Sequence, residues 1–178
     1  MYGEDHAAQK CARRPSPQDQ GSHPEGGRDL EFTAELGLDD EGNFTALAVA
    51  LRLNAGAYAS ARTLPPVLNF GGVAGVYTTP VIAGRLEAYL THTVPVAPYR
   101  GAGRPEATYI IESLIDKAAR ELGHDRIELR RRNLITAADL PYANPLGMTY
   151  DSGDYPKCQA DAMAAIDYDE FPARRERA

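Results

Sequence analysis

Residues 105–123 read PEATYIIESLIDKAARELG, and this stretch decides the fold because it predicts a long amphipathic helix. Pro105 fits the first helical turn, where its missing N–H costs no hydrogen bond, and Glu106 suits the positive end of the helix dipole. Gly123 is placed for a left-handed C-terminal cap. The large apolar side chains recur at spacings of three and four residues and so share one face: Ile110, Ile111, Leu114, Ile115, Ala118 and Leu122.

A second, shorter helix is predicted directly after the first. Asp125 and Glu128 have the spacing of a capping box, and the helix should run to about Leu134. We expect Ile127, Leu129 and Leu134 to face the core. The three arginines at its C-terminal end, Arg130, Arg131 and Arg132, are interpreted as a solvated cluster that complements the helix dipole, with a ligand-binding role as the alternative.

The sequence before these helices predicts strands. Residues 30–38, LEFTAELGL, alternate apolar and polar side chains, and DDEGN (39–43) is a turn cluster with Gly42 free to take a positive φ. Residues 44–60, FTALAVALRLNAGAYAS, are predicted as the return strand, with a helix as the rival for the alanine-rich middle. A further strand is predicted within 81–96. The expected fold class is α+β, with antiparallel strands and a helix pair packed against them.

Two other segments lack the pattern of a long regular element. Residues 1–28 hold few large aliphatic side chains and are expected to be disordered, because they bury too little apolar area to offset the entropy of ordering. Residues 62–80 contain two prolines near their start, another at their end and three glycines, which exclude a long helix or strand. Near the end of the chain, CQADAMAAIDYDEF (158–171) predicts a short amphipathic helix.

Composition restricts the partners. The chain has 178 residues with 19 Lys+Arg against 25 Asp+Glu, a net charge of −6, which argues against nucleic acid or an anionic membrane as the partner. No apolar run is long enough to span a bilayer, and the first residues lack the apolar middle of a signal peptide. The two cysteines, Cys11 and Cys158, suggest neither a disulfide framework nor a zinc site. We expect a cytoplasmic protein.

The loop before the long helix, PYRGAGRPE (98–106), is the candidate binding site. Its glycines let the backbone approach a ligand closely, and Arg100 and Arg104 each offer a fork of donors to an anion. Taken alone, the loop is a weak signal, and a plain helix-entry turn with solvated arginines is the simpler interpretation. No sequence pattern of a catalytic triad, a P-loop or a zinc protease accompanies it. Glu112, Asp116 and Glu121 are interpreted as the solvent-exposed face of the helix. We assign no catalytic residue and no metal ligand.

Loop and helices together resemble a known family. Residues 93–135, TVPVAPYRGAGRPEATYIIESLIDKAARELGHDRIELRRRNLI, are similar to the molybdenum-cofactor subunit of the xanthine dehydrogenase / aldehyde oxidase family, in particular the carbon monoxide dehydrogenase-like branch whose loop reads YRGAGR. The stretches GRDLEFTAELGLDDEGNFTAL, NAGAYAS, GGVAGVY and YDSGDYPK agree in order and spacing. The resemblance covers about residues 27–175 and implies part of a molybdenum-cofactor-binding domain.

The resemblance also implies a role for the loop, which in that family lies beside the molybdenum and its pyranopterin. Arg100 takes the position that contacts the cofactor. Tyr99, Gly101, Ala102 and Gly103 would form a backbone wall, and Arg104 would be a second contact. Gly101 and Ala102 stand where carbon monoxide dehydrogenases carry a copper-binding cysteine, so CO oxidation is not expected. Ala102 also offers no surface for stacking a purine, which leaves an aldehyde or an N-heterocycle as the substrate class.

The remaining implications concern the complete subunit. It would hold a molybdenum–molybdopterin, in the cytosine dinucleotide form, and oxidise a small-molecule substrate with water as the oxygen source. Electrons would leave through iron–sulfur clusters and FAD on partner subunits. The family subunit is several times longer, so the chain is expected to be an internal fragment that is inactive alone. The expected divisions are a non-family segment (1–28), part of a first cofactor-binding domain (29–147) and the start of a second domain or a tail (148–178).

Two other functions stay open at this point. One is a non-catalytic assembly module that retains the fold and binds an iron–sulfur or flavin subunit. The other is an unrelated phosphate-binding α+β domain that uses the same loop.

Overall fold

The hairpin predicted from the alternating residues 30–38 is present. The computed structural model describes residues 10–15, 30–58, 69–95 and 100–177. Strand β2 (Leu30–Leu38) pairs antiparallel with β3 (Phe44–Gly56), so the rival helix for the second segment is wrong. The turn between them is held by Asp39, whose Oδ1 accepts from the Asn43 N–H at 2.7 Å, while Gly42 takes φ 88°. The hydrogen bond from the Asn43 side chain keeps the Asp39 pKa below its ordinary value.

One strand lies within the segment expected to be disordered. Strand β1 (Lys10–Pro15) pairs antiparallel with the free edge of β2, with Lys10 opposite Leu38. The expectation for residues 1–28 therefore fails at residues 10–15, because a sheet edge pairs through its backbone groups and needs little from the apolar content of the added strand. The other residues of that segment lie outside the described part of the chain.

The fourth strand gives the sheet a mixed character. Strand β4 (Ile82–Leu90) pairs with β3 in parallel, with Leu51 opposite Leu86, and the strand order is β1-β2-β3-β4. The predicted strand is present, but its parallel direction departs from the expected antiparallel arrangement. A parallel pairing needs a long crossover, which here includes the 3-10 helix Phe70–Ala74.

The predicted helix pair covers one face of this sheet. Helix α1 (Arg104–Leu122) ends at Gly123, which has φ 76°, and α2 (Arg126–Asn133) begins after Asp125, whose Oδ1 accepts from the N–H groups of Ile127 and Glu128. The apolar side chains of α1 are almost fully buried against those of β2 and β3: Ile110, Ile111, Leu114, Ile115, Leu36, Leu47 and Leu53. The α+β class is confirmed.

The C-terminal part consists of short elements. A small hairpin joins β5 (Tyr142–Ala143) to β6 (Thr149–Tyr150), and helices α3 (Tyr155–Ala165) and α4 (Phe171–Arg177) follow. The helix predicted for 158–171 is thus present in part: it begins earlier, after Asp154, ends at Ala165 and buries none of its residues. Among the described residues, no helix is long and apolar enough to cross a membrane.

The arginine cluster of α2 is only partly solvated. Arg130 has 16% of its side chain exposed, its Nε donates to Glu112 Oε2 at 2.8 Å, and its Nη2 lies 3.0 Å from Asp116 Oδ1. Tyr77 Oη donates to the other Glu112 oxygen at 2.8 Å. The interpretation of Arg130, Glu112 and Asp116 as solvent-facing charges is therefore wrong, because α2 packs back on α1 at this point.

These contacts shift two pKa values. Burial disfavours the Arg130 cation, but its hydrogen bond and charge pairing with Glu112 outweigh that effect and raise its pKa. Burial and the negative charge of Glu112 both raise the Tyr77 pKa. The network thus joins α2 to α1 through Arg130 and joins α1 to the segment before β4 through Glu112.

Replacing Arg130 should lower the stability of the protein more than replacing the exposed Arg131 does. Arg130→Ala leaves Glu112 and Asp116 without their shared cation, and we expect a loss of about 2 kcal/mol in the free energy of unfolding. Arg131→Ala removes a side chain that is 66% exposed and should cost less than about 0.5 kcal/mol. Urea unfolding of both variants measures this difference, and equal losses would contradict it.

Asn133 connects α2 to the hairpin turn. Its side chain is 2% exposed, its Oδ1 accepts from the Phe44 N–H at 2.8 Å, and its Nδ2 donates to the Gly42 and Leu129 carbonyls at 2.9 and 2.8 Å. One amide therefore satisfies three backbone groups from two elements. Because buried backbone groups without partners are costly, this side chain fixes the helix pair on the sheet.

The Asn133→Ala variant should lose more stability than a variant at the exposed neighbouring residue Arg132. Two backbone groups of the hairpin turn then lose their partner, and we expect the free energy of unfolding to fall by about 2–3 kcal/mol. Arg132→Ala is the matched control on the same turn of α2. A loss below about 0.5 kcal/mol for Asn133→Ala in chemical unfolding would show that water replaces the amide without cost.

Candidate cofactor-binding loop

The loop that enters α1 has an uncommon backbone. Three successive residues take left-handed conformations: Gly101 (φ 105°), Ala102 (φ 45°) and Gly103 (φ 95°). At Gly101 a Cβ would lie 2.8 Å from the Pro105 ring. This clash and the positive φ both exclude a side chain at this position. The Arg104 N–H donates to the Gly101 carbonyl at 3.0 Å and closes the turn. The two glycines thus allow the left-handed turn of the loop, and their role in a close approach to a ligand stays a prediction.

The start of α1 offers fewer free amides than an ordinary helix. The Arg104 N–H is used within the loop and Pro105 has no N–H, so the first two helical residues offer no free amide. The positive charge of the loop therefore resides mainly on the guanidinium groups of Arg100 and Arg104, and both residues are exposed. Anion recognition here depends on these side chains more than on the helix terminus.

Asn69 ties the loop to the segment before β4. Its Nδ2 donates to the Ala102 carbonyl at 2.7 Å, and its own carbonyl accepts from the Gly72 N–H at 3.0 Å. The left-handed Ala102 is a non-glycine residue in a conformation that costs about 1–2 kcal/mol, so it requires an external contact to hold it. Asn69 supplies that contact from 33 residues away in the chain.

A second set of contacts fixes the chain that leads from β4 toward the loop. Asn54 at the end of β3 accepts from the Thr91 hydroxyl at 2.7 Å and donates to the Thr93 hydroxyl at 3.0 Å. The Ala57 N–H donates to the Thr93 carbonyl at 3.0 Å. A Cβ at Gly56 would meet the Pro95 backbone at 2.3 Å, so the two segments are in direct contact.

The 3-10 helix Phe70–Ala74, which follows Asn69, also contacts the small β5–β6 hairpin. Asn144, which is 4% exposed, donates from Nδ2 to the Gly71 carbonyl at 2.9 Å. Phe70 packs on the backbone of Gly84, where an added Cβ would lie 2.3 Å from its ring. The segment that carries Asn69 is thus held between β4 and the β5–β6 hairpin.

The predicted site residues are consecutive in the chain, and the structure describes all but one. Arg100, Gly101, Ala102, Gly103 and Arg104 form the loop and the first residue of α1, while Tyr99 lies outside the described residues. Sequence reasoning missed Asn69, Asn54 and Asn144. An asparagine in a turn-rich stretch gives no sign in the sequence of a partner far away in the chain.

The arrangement is chemically suited to a ligand with several acceptor oxygens or nitrogens. Two guanidinium groups flank three residues whose only side chain is the Ala102 methyl group, so a planar or anionic group can lie against the main chain. The residues present therefore fit a pterin-type cofactor with a phosphate.

Removing the Asn69 amide should loosen the loop without unfolding the protein. For Asn69→Ala we expect hydrogen exchange of the amides of residues 101–104 to accelerate about fivefold to tenfold, as the loss of one bond worth about 1 kcal/mol implies. Exchange in β3 should remain unchanged and serves as the internal control. Unchanged exchange at residues 101–104 would show that the loop holds its conformation by itself.

The comparisons agree on one family. Residues 18–134 match the model of the molybdopterin cofactor-binding domain. The chain is 35% identical over 156 residues to 6-hydroxypseudooxynicotine dehydrogenase complex subunit gamma of Paenarthrobacter nicotinovorans, covering 84% of this chain and 20% of the relative. It is 30% identical over 152 residues to the carbon monoxide dehydrogenase large chain of Hydrogenophaga pseudoflava, covering 83% of this chain and 19% of that one.

The fold leads to the same family. The structure superimposes on quinoline 2-oxidoreductase from Pseudomonas putida 86 with a TM-score of 0.79 and 28% identity, covering 85% of this chain and 20% of the other. The chain thus spans about a fifth of the length of these proteins. With the family model, the relatives and the fold in agreement, the chain belongs to the family of molybdopterin-binding subunits that includes xanthine dehydrogenase and carbon monoxide dehydrogenase large chains.

Proposed function

We propose that the loop Tyr99–Arg104 forms one wall of a molybdenum–molybdopterin pocket in a hydroxylase that oxidises an aldehyde or an N-heterocycle. The observation that carries the proposal is the run of three left-handed residues between two exposed arginines, held from outside by Asn69. A plain helix-entry turn has no need of a strained Ala102 or of a side chain dedicated to it. Membership of the molybdopterin-binding family supports molybdopterin as the ligand.

Each loop residue has a distinct role in this proposal. Arg100 donates its N–H groups to acceptor atoms of the cofactor, and Arg104 adds a second cation at the start of α1. Gly101 and Gly103 leave the main chain open to contact, and Ala102 adds only a methyl group. When bound, the molybdenum centre supplies the two-electron chemistry, with water as the source of oxygen. The residues of this chain bind and orient, and none is proposed as the catalytic base.

The substrate class follows from what the loop lacks. Residues 99–104 contain no cysteine to hold a copper ion, so oxidation of carbon monoxide is not the proposed reaction. Ala102 also offers no aromatic surface on which a purine would stack. An aldehyde or an N-heterocycle other than a purine requires neither feature. One relative, named as a 6-hydroxypseudooxynicotine dehydrogenase, and the quinoline 2-oxidoreductase structure are consistent with the heterocycle side of this choice.

The cofactor form and the partners belong to the same proposal. We infer the cytosine dinucleotide form of molybdopterin, partner subunits that carry iron–sulfur clusters and FAD, and a cytoplasmic location. Support for partner subunits comes from the names of two relatives, a subunit gamma of a complex and a large chain. The proposed domain division keeps residues 29–147 in a first cofactor-binding domain and residues 148–178 in a second domain or a tail.

The experiment is cofactor analysis of the tagged protein purified from its host with the subunits that it binds there. We expect molybdenum and an oxidised pterin in the purified complex. Arg100→Ala should lower the molybdenum content by about tenfold or more, because it removes a charge-assisted contact worth about 1.5–3 kcal/mol. Elemental mass spectrometry gives the metal content, and the fluorescence of the released pterin gives a readout independent of activity.

Arg120→Ala is the matched control, since Arg120 is an exposed arginine at the opposite end of α1. Its molybdenum content should equal that of the unchanged protein. Equal molybdenum and pterin in Arg100→Ala would remove the loop from the site, and a complex without molybdenum would overturn the proposed function itself.

A further inference from the structure

The β5–β6 hairpin packs on the two glycines of the 3-10 helix Phe70–Ala74. A Cβ added at Gly71 would lie 3.5 Å from Met148 Cγ, and one added at Gly72 would lie 3.9 Å from Met148 Sδ. Both are ordinary van der Waals distances, so the Met148 side chain lies against the backbone of this helix. The helix directly follows Asn69, which bonds to the candidate loop. The hairpin is therefore one step away from the residue that holds the loop.

Asn144 of this hairpin makes two kinds of hydrogen bond. Its Oδ1 accepts from the N–H groups of Leu146 and Met148, each at 3.0 Å, and these bonds shape the hairpin turn. Its Nδ2 donates to the Gly71 carbonyl at 2.9 Å, 73 residues away in the chain. The residue is 4% exposed, so water does not compete for these groups. The acceptor end of the amide thus forms the turn, and the donor end connects the turn to the 3-10 helix.

The peptide group between Gly71 and Gly72 passes this contact on to Asn69. Its C=O, from Gly71, accepts from Asn144, and its N–H, from Gly72, donates to the Asn69 carbonyl at 3.0 Å. Because a trans peptide is planar and directs these groups oppositely, it is held from both sides. Asn69 then donates from Nδ2 to the Ala102 carbonyl at 2.7 Å. Hydrogen bonds in series polarise and restrain one another, so the hairpin and the loop are coupled.

Tyr150 connects the hairpin to the same 3-10 helix at a second point. Its Oη donates to the carbonyl of Gly75, which caps the helix at its C-terminal end. The Tyr150 ring packs edge-on against Tyr155 with the centroids 6.3 Å apart, and lies tilted against Tyr142 at 6.1 Å. Asn144 and Tyr150 therefore bond to carbonyls near both ends of the helix, and the hairpin fixes where the helix lies.

We propose that the β5–β6 hairpin positions the candidate loop, with Asn144 and Tyr150 as the positioning residues. The strained Ala102 is held by Asn69, and the helix that follows Asn69 is in turn held by the hairpin. Both positioning residues lie beyond residues 18–134, the part of the chain that matches the family model. The position of the loop follows from bonds within the chain, and only the identity of what it binds rests on the proposed function.

The Asn144→Asp variant separates the two kinds of bond that Asn144 makes. A carboxylate still accepts from the N–H groups of Leu146 and Met148, but it has no donor for the Gly71 carbonyl. We expect hydrogen exchange of the amides of residues 101–104 to accelerate about threefold or more, measured on the full chain with the subunits that it binds in its host. Exchange of the Leu146 and Met148 amides should stay the same, which shows that the hairpin itself is intact.

A double-mutant cycle with Asn69 tests the order of the contacts. In the Asn69→Ala background the loop is already released, so Asn144→Asp should cause no further acceleration at residues 101–104. Two contacts that act independently of each other would instead multiply their effects. Tyr150→Phe keeps the ring and removes only the bond to Gly75, so it serves in the same cycle where the Asn144→Asp chain does not fold.

Two results would overturn the proposal. One is unchanged exchange at residues 101–104 in the folded variants, and the other is an acceleration that multiplies with that of Asn69→Ala. Hydrogen exchange reports on the backbone whether or not molybdenum is bound. A complex without molybdenum therefore contradicts the proposed function and leaves the test of the hairpin intact.

Discussion

The burial of one face of α1 against β2 and β3 is the constraint on which the remaining structure depends. Ile110, Ile111, Leu114 and Ile115 are each at most 1% exposed, and burying each such side chain contributes about 1.5–3 kcal/mol. The helix begins at Arg104, immediately after the left-handed residues, so the docking of the helix also fixes where the loop lies. The candidate site is thus positioned by a hydrophobic contact that none of its own residues makes.

Hydrogen bonds from asparagine side chains then connect loops and turns that the hydrophobic core does not hold. Asn133 ties α2 to the hairpin turn, Asn54 ties the end of β3 to the chain after β4, and Asn69 ties the loop to the crossover segment. Each one bonds to groups more than 30 residues away in the chain. A carboxamide both donates and accepts, so one side chain satisfies two kinds of backbone group without burying a charge. The loop can therefore retain a strained conformation.

Much of the fold could be predicted from local patterns. The periodicity of residues 105–123 gave α1, the alternation of residues 30–38 gave β2, and the position of Gly123 gave the helix cap, because each signal is contained in one short window. The parallel direction of β4 and the burial of Arg130 could not be predicted from a short stretch of sequence, since both depend on where a distant segment lies. For the site, the sequence proposed the consecutive residues Arg100–Arg104, which stay a prediction, but it gave no sign of Asn69, whose partner lies 33 residues away.

An experimental structure of the molybdenum-loaded complex that contains this chain tests the central claim most directly. The account requires the Arg100 guanidinium to lie within hydrogen-bonding distance, about 2.7–3.2 Å, of an acceptor atom of the cofactor, with the backbone of Gly101–Gly103 against it. A cofactor bound elsewhere, with the loop facing solvent or another subunit, would contradict it.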